Sequence, residues 1–293
     1  MRNQSGARCK VGPRYDAYRQ ADRSERVEVT QQHRDEFNSR GFTVFEDVVD
    51  DATLSMLREE CAYFLGYMDA SMDARGKETL GITHRGKRYF ISNLYRESRR
   101  LPGFLYGSLM ESVTRGLLGD TVYLFNEQWV VKGPEQGMKF AWHQDSGYVN
   151  FRDPGNPHAP YLTCWIALDD MTEANGTIFV LPHEVAGTRQ NVLDHFVEEG
   201  TNDLVGYTGD EPGVRIDVKA GSIAAFSSTS LHRSTANTTA NSRRAYLAQY
   251  SLEPIVGQTG ELWGMAVPFV QGGANVYDPA TDDDRYVAKR RQR

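Results

Sequence analysis

The residues with the clearest chemical potential in this sequence form the tetrapeptide Trp142-His143-Gln144-Asp145. In an extended segment, residues i and i+2 point the same way, so His143 and Asp145 can offer an imidazole nitrogen and a carboxylate oxygen to one cation. Two histidines and one carboxylate on one face of an octahedron leave three adjacent positions open, which suits non-haem Fe(II) oxygenases. A lone His-x-Asp tripeptide also occurs by chance in surface turns, so the hypothesis needs a third ligand elsewhere in the chain.

His232 is the favoured third ligand. It follows the apolar segment 222–226, which reads as a buried strand after a Gly-containing turn. His183, which comes directly after Pro182 at the end of another predicted strand, is the main alternative. We favour His232 because only this histidine is followed by a serine and an arginine that suit the binding of a dicarboxylate.

Those two residues are Ser234 and Arg243, the latter at the start of an apolar predicted strand. The planar guanidinium fork binds carboxylates in a bidentate manner, whereas lysine offers a point charge. Fe(II) with one carboxylate carries +1 and 2-oxoglutarate carries −2, so a buried site needs a further cation. The alternative is a non-oxidative metal- or sugar-binding jelly roll or isomerase, which has no need of such a clamp.

The composition excludes several other classes of protein. The chain has 293 residues, of which 40% are hydrophobic and 25% charged, and this balance is typical of globular domains. A net charge of −6 is unusual for a nucleic-acid-binding protein, and three widely spaced cysteines argue against a disulfide framework. No apolar run approaches the roughly 20 residues of a membrane span or the core of a secretory signal. We therefore expect a cytoplasmic enzyme with a small-molecule substrate and no nucleic-acid or membrane partner.

The elements that must position these residues change in character near residue 121. Helices are predicted over 31–40, from 51 to about 65 and over 103–118, with one short strand at 42–45. After residue 121, short segments rich in β-branched and aromatic residues recur between turn residues, and strands are predicted at 122–132, 139–143, 161–168, 177–181, 214–218, 222–226 and 244–252. The segregation of helices from strands argues against alternating βαβ units and favours a sandwich or barrel.

We accordingly predict a polar N-terminal arm at 1–28 and one domain over 29–293. Within that domain, helical support lies mostly in 29–120, the β core in about 121–254 and a C-terminal extension in 255–293.

From about Thr30 to Pro254 the chain resembles the phytanoyl-CoA hydroxylase-like (PhyH) branch of the Fe(II)/2-oxoglutarate dioxygenases. The resemblance rests on an ordered set of segments, namely residues 30–37, 40–44, 142–145, 165–170, 175–182, 232–234 and 243. It implies a mainly β fold with flanking helices around a double-stranded β-helix (jelly-roll, cupin-like) core.

The resemblance also implies the site and its chemistry. Fe(II) would be bound by His143, Asp145 and His232, and 2-oxoglutarate would be anchored at its distal carboxylate by Arg243 and Ser234. The implied reaction consumes dioxygen, hydroxylates an unactivated C–H bond of a small metabolite, and releases succinate and carbon dioxide.

Other positions follow the family less directly. Gln144 and Trp165 match positions that line its co-substrate pocket, and Arg88 matches a basic residue there. Arg233 stands where the family more often has glycine, so its side chain either points outward or reaches towards an anionic substrate. Asp145 stands where related halogenases have a small residue, and this argues for oxidation rather than halogenation.

Candidate substrate contacts come from the segments that flank the metal motif. Phe90 and Asn93 precede the predicted β core, and Tyr148 follows the metal motif directly. Segments at these places can close over the site in jelly-roll enzymes, and ordinary packing is an equally good reading of each residue.

Overall fold

A computed structural model describes residues 27–135, 137–282 and 286, so residues 1–26 of the predicted arm lie outside it. The helices are α1 (Gln31–Arg40), α2 (Asp51–Arg75), α3 (Leu101–Leu105), α4 (Ser108–Leu118), α5 (Asp145–Arg152) and α6 (His183–Ala186), with a 3₁₀ turn at Tyr95–Glu97. The strands are β1 (Phe42–Phe45), β2 (Thr79–Leu80), β3 (Thr83–His84), β4 (Arg88–Ser92), β5 (Val122–Lys132), β6 (Phe140–His143), β7 (Leu162–Ala167), β8 (Ile178–Leu181), β9 (Phe196–Val197), β10 (Leu204–Val205), β11 (Val214–Arg215), β12 (Ile223–Ser227), β13 (Leu231–Ser234), β14 (Arg243–Ser251), β15 (Val267–Gln271) and β16 (Ala274–Asn275).

Most of the strands belong to two antiparallel sheets. The larger sheet has the order β1-β12-β7-β14-β5-β4-β3-β2, and β15 pairs with β5 and with β16. The smaller sheet has the order β11-β8-β13-β6, and β9 pairs with β10. One apolar cluster contains residues of both sheets, including Val130, Trp165, Ile178 and Leu247. The predicted jelly-roll core with flanking helices is thereby confirmed.

Helices cover the opposite face of the larger sheet. Leu57, Cys61 and Phe64 of α2 are fully buried in a second apolar cluster, and the Phe64 ring stacks on Trp129 of β5 with centroids 6.1 Å apart. Helix α2 runs about ten residues beyond its predicted end, because Met72 continues the buried stripe. Helices on this face leave the other face of the sheet to form the cavity described below.

Two further differences from the sequence-based prediction concern the region before β5. The helix predicted over 103–118 is divided into α3 and α4 at Gly107, whose extended backbone (ψ 174°) begins α4. The segment 79–92 forms β2, β3 and β4, and Arg88 of β4 pairs with Lys132 of β5. Two-residue strands in a Gly- and Lys/Arg-rich stretch give no period-2 signal, so they escape a pattern-based prediction.

None of the helices in the described part of the chain combines the length and the apolar character that crossing a membrane requires.

Candidate active site

Strand pairing brings the three predicted metal ligands together. His143 of β6 lies directly opposite His232 of β13, and Asp145 follows as the first residue of α5. The Asp145 Oδ1 atom lies 3.9 Å from His143 Nε2 and 3.7 Å from His232 Nε2. All three ligand atoms lie within 4.8 Å of one another, and this is the only such group of three or more His, Cys, Asp or Glu within the residues described.

Hydrogen bonds orient both imidazole rings for metal binding. His143 Nδ1 lies 2.9 Å from the Ala141 carbonyl oxygen, and His232 Nδ1 lies 3.1 Å from the Ser230 carbonyl oxygen. A carbonyl can only accept, so each Nδ1 is the donor, and each ring turns its Nε2 atom towards the cluster. Burial, followed by the nearby His232, holds the pKa of His143 well below its ordinary value, so this ring is neutral.

The third ligand is also held from outside the cluster. Thr163 of β7 donates to Asp145 Oδ2 at 2.6 Å, and Gln249 of β14 donates to the same oxygen at 2.9 Å. With Oδ2 engaged in this way, Oδ1 is the oxygen that faces the two histidines. Such outer partners orient metal ligands and fix their binding atoms.

His183, the alternative third ligand, lies elsewhere. It begins α6, and its Nδ1 atom lies 3.3 Å from Thr188 Oγ1. A Cβ added to Gly41 would come within 2.4 Å of the His183 ring, so this imidazole packs against the turn between α1 and β1.

A cavity of about 520 Å³ opens beside the three ligands and contains most of the other predicted site residues. His143, Asp145 and His232 line it together with Arg243 and Ser234. Its volume lies in the range typical of small-molecule sites.

Arg243 is 1% exposed, and only part of its guanidinium is satisfied by protein. Nη2 donates to the Gly176 carbonyl oxygen at 2.5 Å, whereas Nε and Nη1 have no partner among the described residues. Burial lowers the pKa of Arg243 to about 10. The Trp165 ring lies beside the guanidinium, with its centroid 5.7 Å from the central carbon, and also lines the cavity. A buried cation with free N–H donors is a site prepared for an anion.

Two more basic residues lie next to Arg243 across the sheet. Lys132 is directly opposite Arg243, and Arg88 is directly opposite Lys132 on its other side. Lys132 lines the cavity and donates to the Thr235 carbonyl oxygen. Arg88 is instead paired with Asp203 at 2.6 Å and, unlike Lys132, lies outside the cavity lining. The basic residue available to a ligand is therefore Lys132.

One sequence-based expectation is corrected here. Gln144 does not line the cavity. Its Nε2 donates to the carbonyl oxygens of Asn191 and Thr229 and its Oε1 accepts from Leu193 N, because alternate residues of an extended segment point to opposite sides. Arg233, for which two orientations were open, places its guanidinium carbon 4.1 Å from the Phe179 ring centroid and also contributes to the lining of the cavity.

The three candidate substrate contacts all line the cavity. Phe90 packs against Phe140 with ring centroids 5.0 Å apart, and the Tyr148 ring meets His143 edge-on at 5.8 Å. Asn93 adopts a left-handed backbone with φ 61°, a conformation that is uncommon outside glycine and recurs at functional sites.

Sequence reasoning missed several polar residues of the cavity wall, and four of them lie on β5 or β14. These four are Asn126, Gln128, Lys132 and Gln249. Three of them lie on the cavity face of β5, where the polar run 126–128 and Lys132 depart from an otherwise apolar sequence, and this departure was the available signal.

Comparison with known proteins agrees with this geometry. The phytanoyl-CoA dioxygenase (PhyH) family profile matches residues 37–245. A phytanoyl-CoA dioxygenase from Arabidopsis thaliana is 24% identical over 258 residues, which cover 74% of this chain and 87% of the relative. An L-proline trans-4-hydroxylase from Streptomyces griseoviridis is 29% identical over 46% of this chain and 56% of the relative.

Solved structures share the fold. The S. alaskensis EctD apoform superposes with a TM-score of 0.59 at 21% identity and covers 90% of this chain and 85% of its own. The epimerase SnoN from nogalamycin biosynthesis gives a TM-score of 0.61 at 17% identity and covers 85% of this chain and 95% of its own. The profile spans well over half of the sequence. The chain therefore belongs to the phytanoyl-CoA dioxygenase (PhyH) family and is a 2-oxoglutarate-dependent oxygenase with iron as its cofactor.

Proposed function

We propose that this enzyme hydroxylates an unactivated C–H bond of a small polar metabolite. In this proposal His143, Asp145 and His232 bind Fe(II), and Arg243 and Ser234 bind the distal carboxylate of 2-oxoglutarate. The observation that carries the proposal is the presence, in one cavity, of three converging ligand atoms and a buried guanidinium with two free donor groups.

The donor set fits ferrous iron. Two imidazole nitrogens and one carboxylate oxygen match the facial arrangement that leaves positions open for other ligands. Asp145 and the two histidines come from adjoining elements, so the site needs no rearrangement of distant segments to form.

The anion site fits 2-oxoglutarate. Within the described part of the chain, the Nε and Nη1 groups of Arg243 are buried without partners, and an unpaired buried charge is costly unless a counter-ion binds. Ser234 lies on the same strand as His232, is 7% exposed and lines the same cavity. Lys132 lines the same cavity, and burial together with the neighbouring Arg243 holds the pKa of its amine well below the ordinary value.

When bound, iron and 2-oxoglutarate supply the oxidation, in which dioxygen is consumed, succinate and carbon dioxide are released, and one oxygen atom enters the substrate. The chain itself binds, orients and shields. The aromatic wall of Phe90 and Tyr148 limits the access of water, while Asn93 and Asn126 offer hydrogen bonds to a polar substrate. The names of two relatives, ectoine dioxygenase and L-proline trans-4-hydroxylase, support a small polar substrate.

A succinate-release screen against polar metabolites tests the proposal. We expect one or more compounds to stimulate succinate formation and to gain the mass of one oxygen atom. His143→Ala should abolish both signals, whereas the matched control His33→Gln, on helix α1, should retain them. Equal turnover by the wild type and His143→Ala would contradict the assignment. A product of unchanged mass would show that the reaction is not a hydroxylation but another oxidation-dependent reaction, such as the epimerisation named for SnoN.

A further inference from the structure

Three polar side chains form a row across the cavity face of the larger sheet. Gln249 of β14 lies directly opposite Thr163 of β7 on one side and Asn126 of β5 on the other. Gln249 is only 6% exposed, and Thr163 is fully buried. The row ends at Asp145 on the metal side and at the cavity wall, through Asn126, on the other.

Hydrogen bonds connect the row from end to end. Asn126 Nδ2 donates to Gln249 Oε1 at 2.8 Å, and Gln249 Nε2 donates to Asp145 Oδ2 at 2.9 Å. Gln249 Nε2 also donates to Thr163 Oγ1 at 3.0 Å, and Thr163 donates onward to Asp145 Oδ2. Both N–H groups and the carbonyl of the Gln249 amide are therefore in use.

The orientation of both amides follows from the charge of Asp145. A carboxylate that binds a metal ion is ionised and can only accept hydrogen bonds. Gln249 must therefore turn its nitrogen to Asp145 and its oxygen to Asn126, which must then present its own nitrogen. A reversal of either amide would set two acceptors against each other.

We propose that Gln249 is a positioning residue of the metal site, held by Asn126, and that it fixes which oxygen of Asp145 faces the iron. This inference rests on the proposed metal site. Since Asn126 also lines the substrate cavity, the same row joins the cavity wall to a metal ligand across three neighbouring strands.

The test measures Mn(II) affinity by electron paramagnetic resonance, without 2-oxoglutarate or substrate. Loss of an outer partner typically weakens metal binding by about 10- to 100-fold. We expect Gln249→Met, which keeps the length of the side chain, to raise the Mn(II) dissociation constant about tenfold. Its unfolding temperature without metal should stay close to that of the wild type, and this separates positioning from general damage to the fold.

A second variant and a control complete the design. Asn126→Leu leaves Gln249 in place but removes its anchor, and it should weaken Mn(II) binding by roughly threefold or more. Gln128→Met alters a cavity amide that lies two residues along the same strand and donates to Ser92 instead, so Mn(II) affinity should be unchanged. An unchanged affinity in Gln249→Met, or an equal loss in Gln128→Met, would overturn the inference. An unchanged Mn(II) affinity in Asn126→Leu would refute the part of the inference in which Asn126 holds Gln249.

The failure of the proposed function gives a different result. If His143→Ala bound Mn(II) as tightly as the wild type, the metal site itself would be misassigned. If only Gln249→Met bound it as tightly, the metal site would stand and the positioning role would be refuted.

Discussion

Replacing Arg243 by methionine should weaken 2-oxoglutarate binding strongly while it changes the stability of the metal- and co-substrate-free protein little. Burial lowers the pKa of Arg243 from 12.5 to about 10, so holding the charge in the folded protein costs about 3 kcal/mol at roughly 1.4 kcal/mol per pKa unit. A carboxylate partner offsets that cost. Two charge-assisted hydrogen bonds from the guanidinium to the carboxylate contribute about 1.5–3 kcal/mol each, so their sum equals or exceeds the cost of burying the charge. The 2-oxoglutarate dissociation constant should therefore rise by roughly 100-fold or more.

The unliganded variant escapes the cost of the buried charge, but the Gly176 carbonyl oxygen loses its donor, at about 1–3 kcal/mol. The two effects nearly cancel, so the free energy of unfolding should change by no more than about 2 kcal/mol. Isothermal titration of 2-oxoglutarate into Mn(II)-loaded protein and urea unfolding measure the two quantities.

Arg244 provides a matched control one residue along β14. Its guanidinium bonds to Asp169, with Nη2 at 2.5 Å from Oδ1, and it lies outside the cavity lining. Arg244→Met should leave 2-oxoglutarate affinity unchanged. A rise of less than tenfold in the dissociation constant of Arg243→Met, or an equal rise in Arg244→Met, would refute the reasoning.

Three more predictions concern stability. Burial raises the pKa of Glu127 from 4.5 to about 7, so the stability that this carboxyl contributes is full below pH 4.5 and is lost as the pH rises through 7. In urea unfolding, the free energy of unfolding of Glu127→Gln should rise by about 3 kcal/mol relative to that of the wild type between pH 4.5 and 8. A difference between the two proteins that does not change with pH would contradict this. Gly176→Ala should lower the free energy of unfolding by about 2 kcal/mol or more and weaken 2-oxoglutarate binding. The reason is that Gly176 has φ 85° and that an added Cβ would lie 2.6 Å from the Thr235 carbonyl oxygen. Wild-type stability together with wild-type affinity would disprove this prediction. Mn(II) at 100 times its dissociation constant should raise the free energy of unfolding of the wild type by about 2.7 kcal/mol, and a chelator should reverse the gain. Asp145→Ala should gain less. Equal gains in both proteins would show that the ion binds elsewhere.

The sequence allowed the fold class to be predicted because its signals are local. Helix α1 spans the predicted range 31–40, because Thr30 accepts from His33 N at its start and Gly41 adopts φ 86° just beyond its end. The apolar strands after residue 121 were recognisable from β-branched and aromatic runs. The two-residue strands β2 and β3 were missed because they are held by their neighbours rather than by their own pattern.

The residues of the site also divide into those that have a local signal in the sequence and those that do not. His143 and Asp145 share a local motif, and His232 was favoured because Ser234 and Arg243 follow it, a choice with which the family resemblance agreed. Gln249 could not be found from the sequence, because its importance comes from lying opposite Thr163 and Asn126. Gln144 was misplaced for a related reason: adjacency to two metal ligands in sequence sends its side chain to the other side of the strand.

The ordered amides also give the cavity wall a definite polarity. Because Asn126 commits its nitrogen to Gln249, its carbonyl oxygen is the group left to accept from a bound molecule. We therefore expect substrates to place a hydroxyl or amine hydrogen there, and a methyl ether at that position to bind less tightly than the parent alcohol. A complex in which the Asn126 carbonyl oxygen turns to Gln249 would contradict this, whereas donation from the second N–H of the same amide is compatible with it.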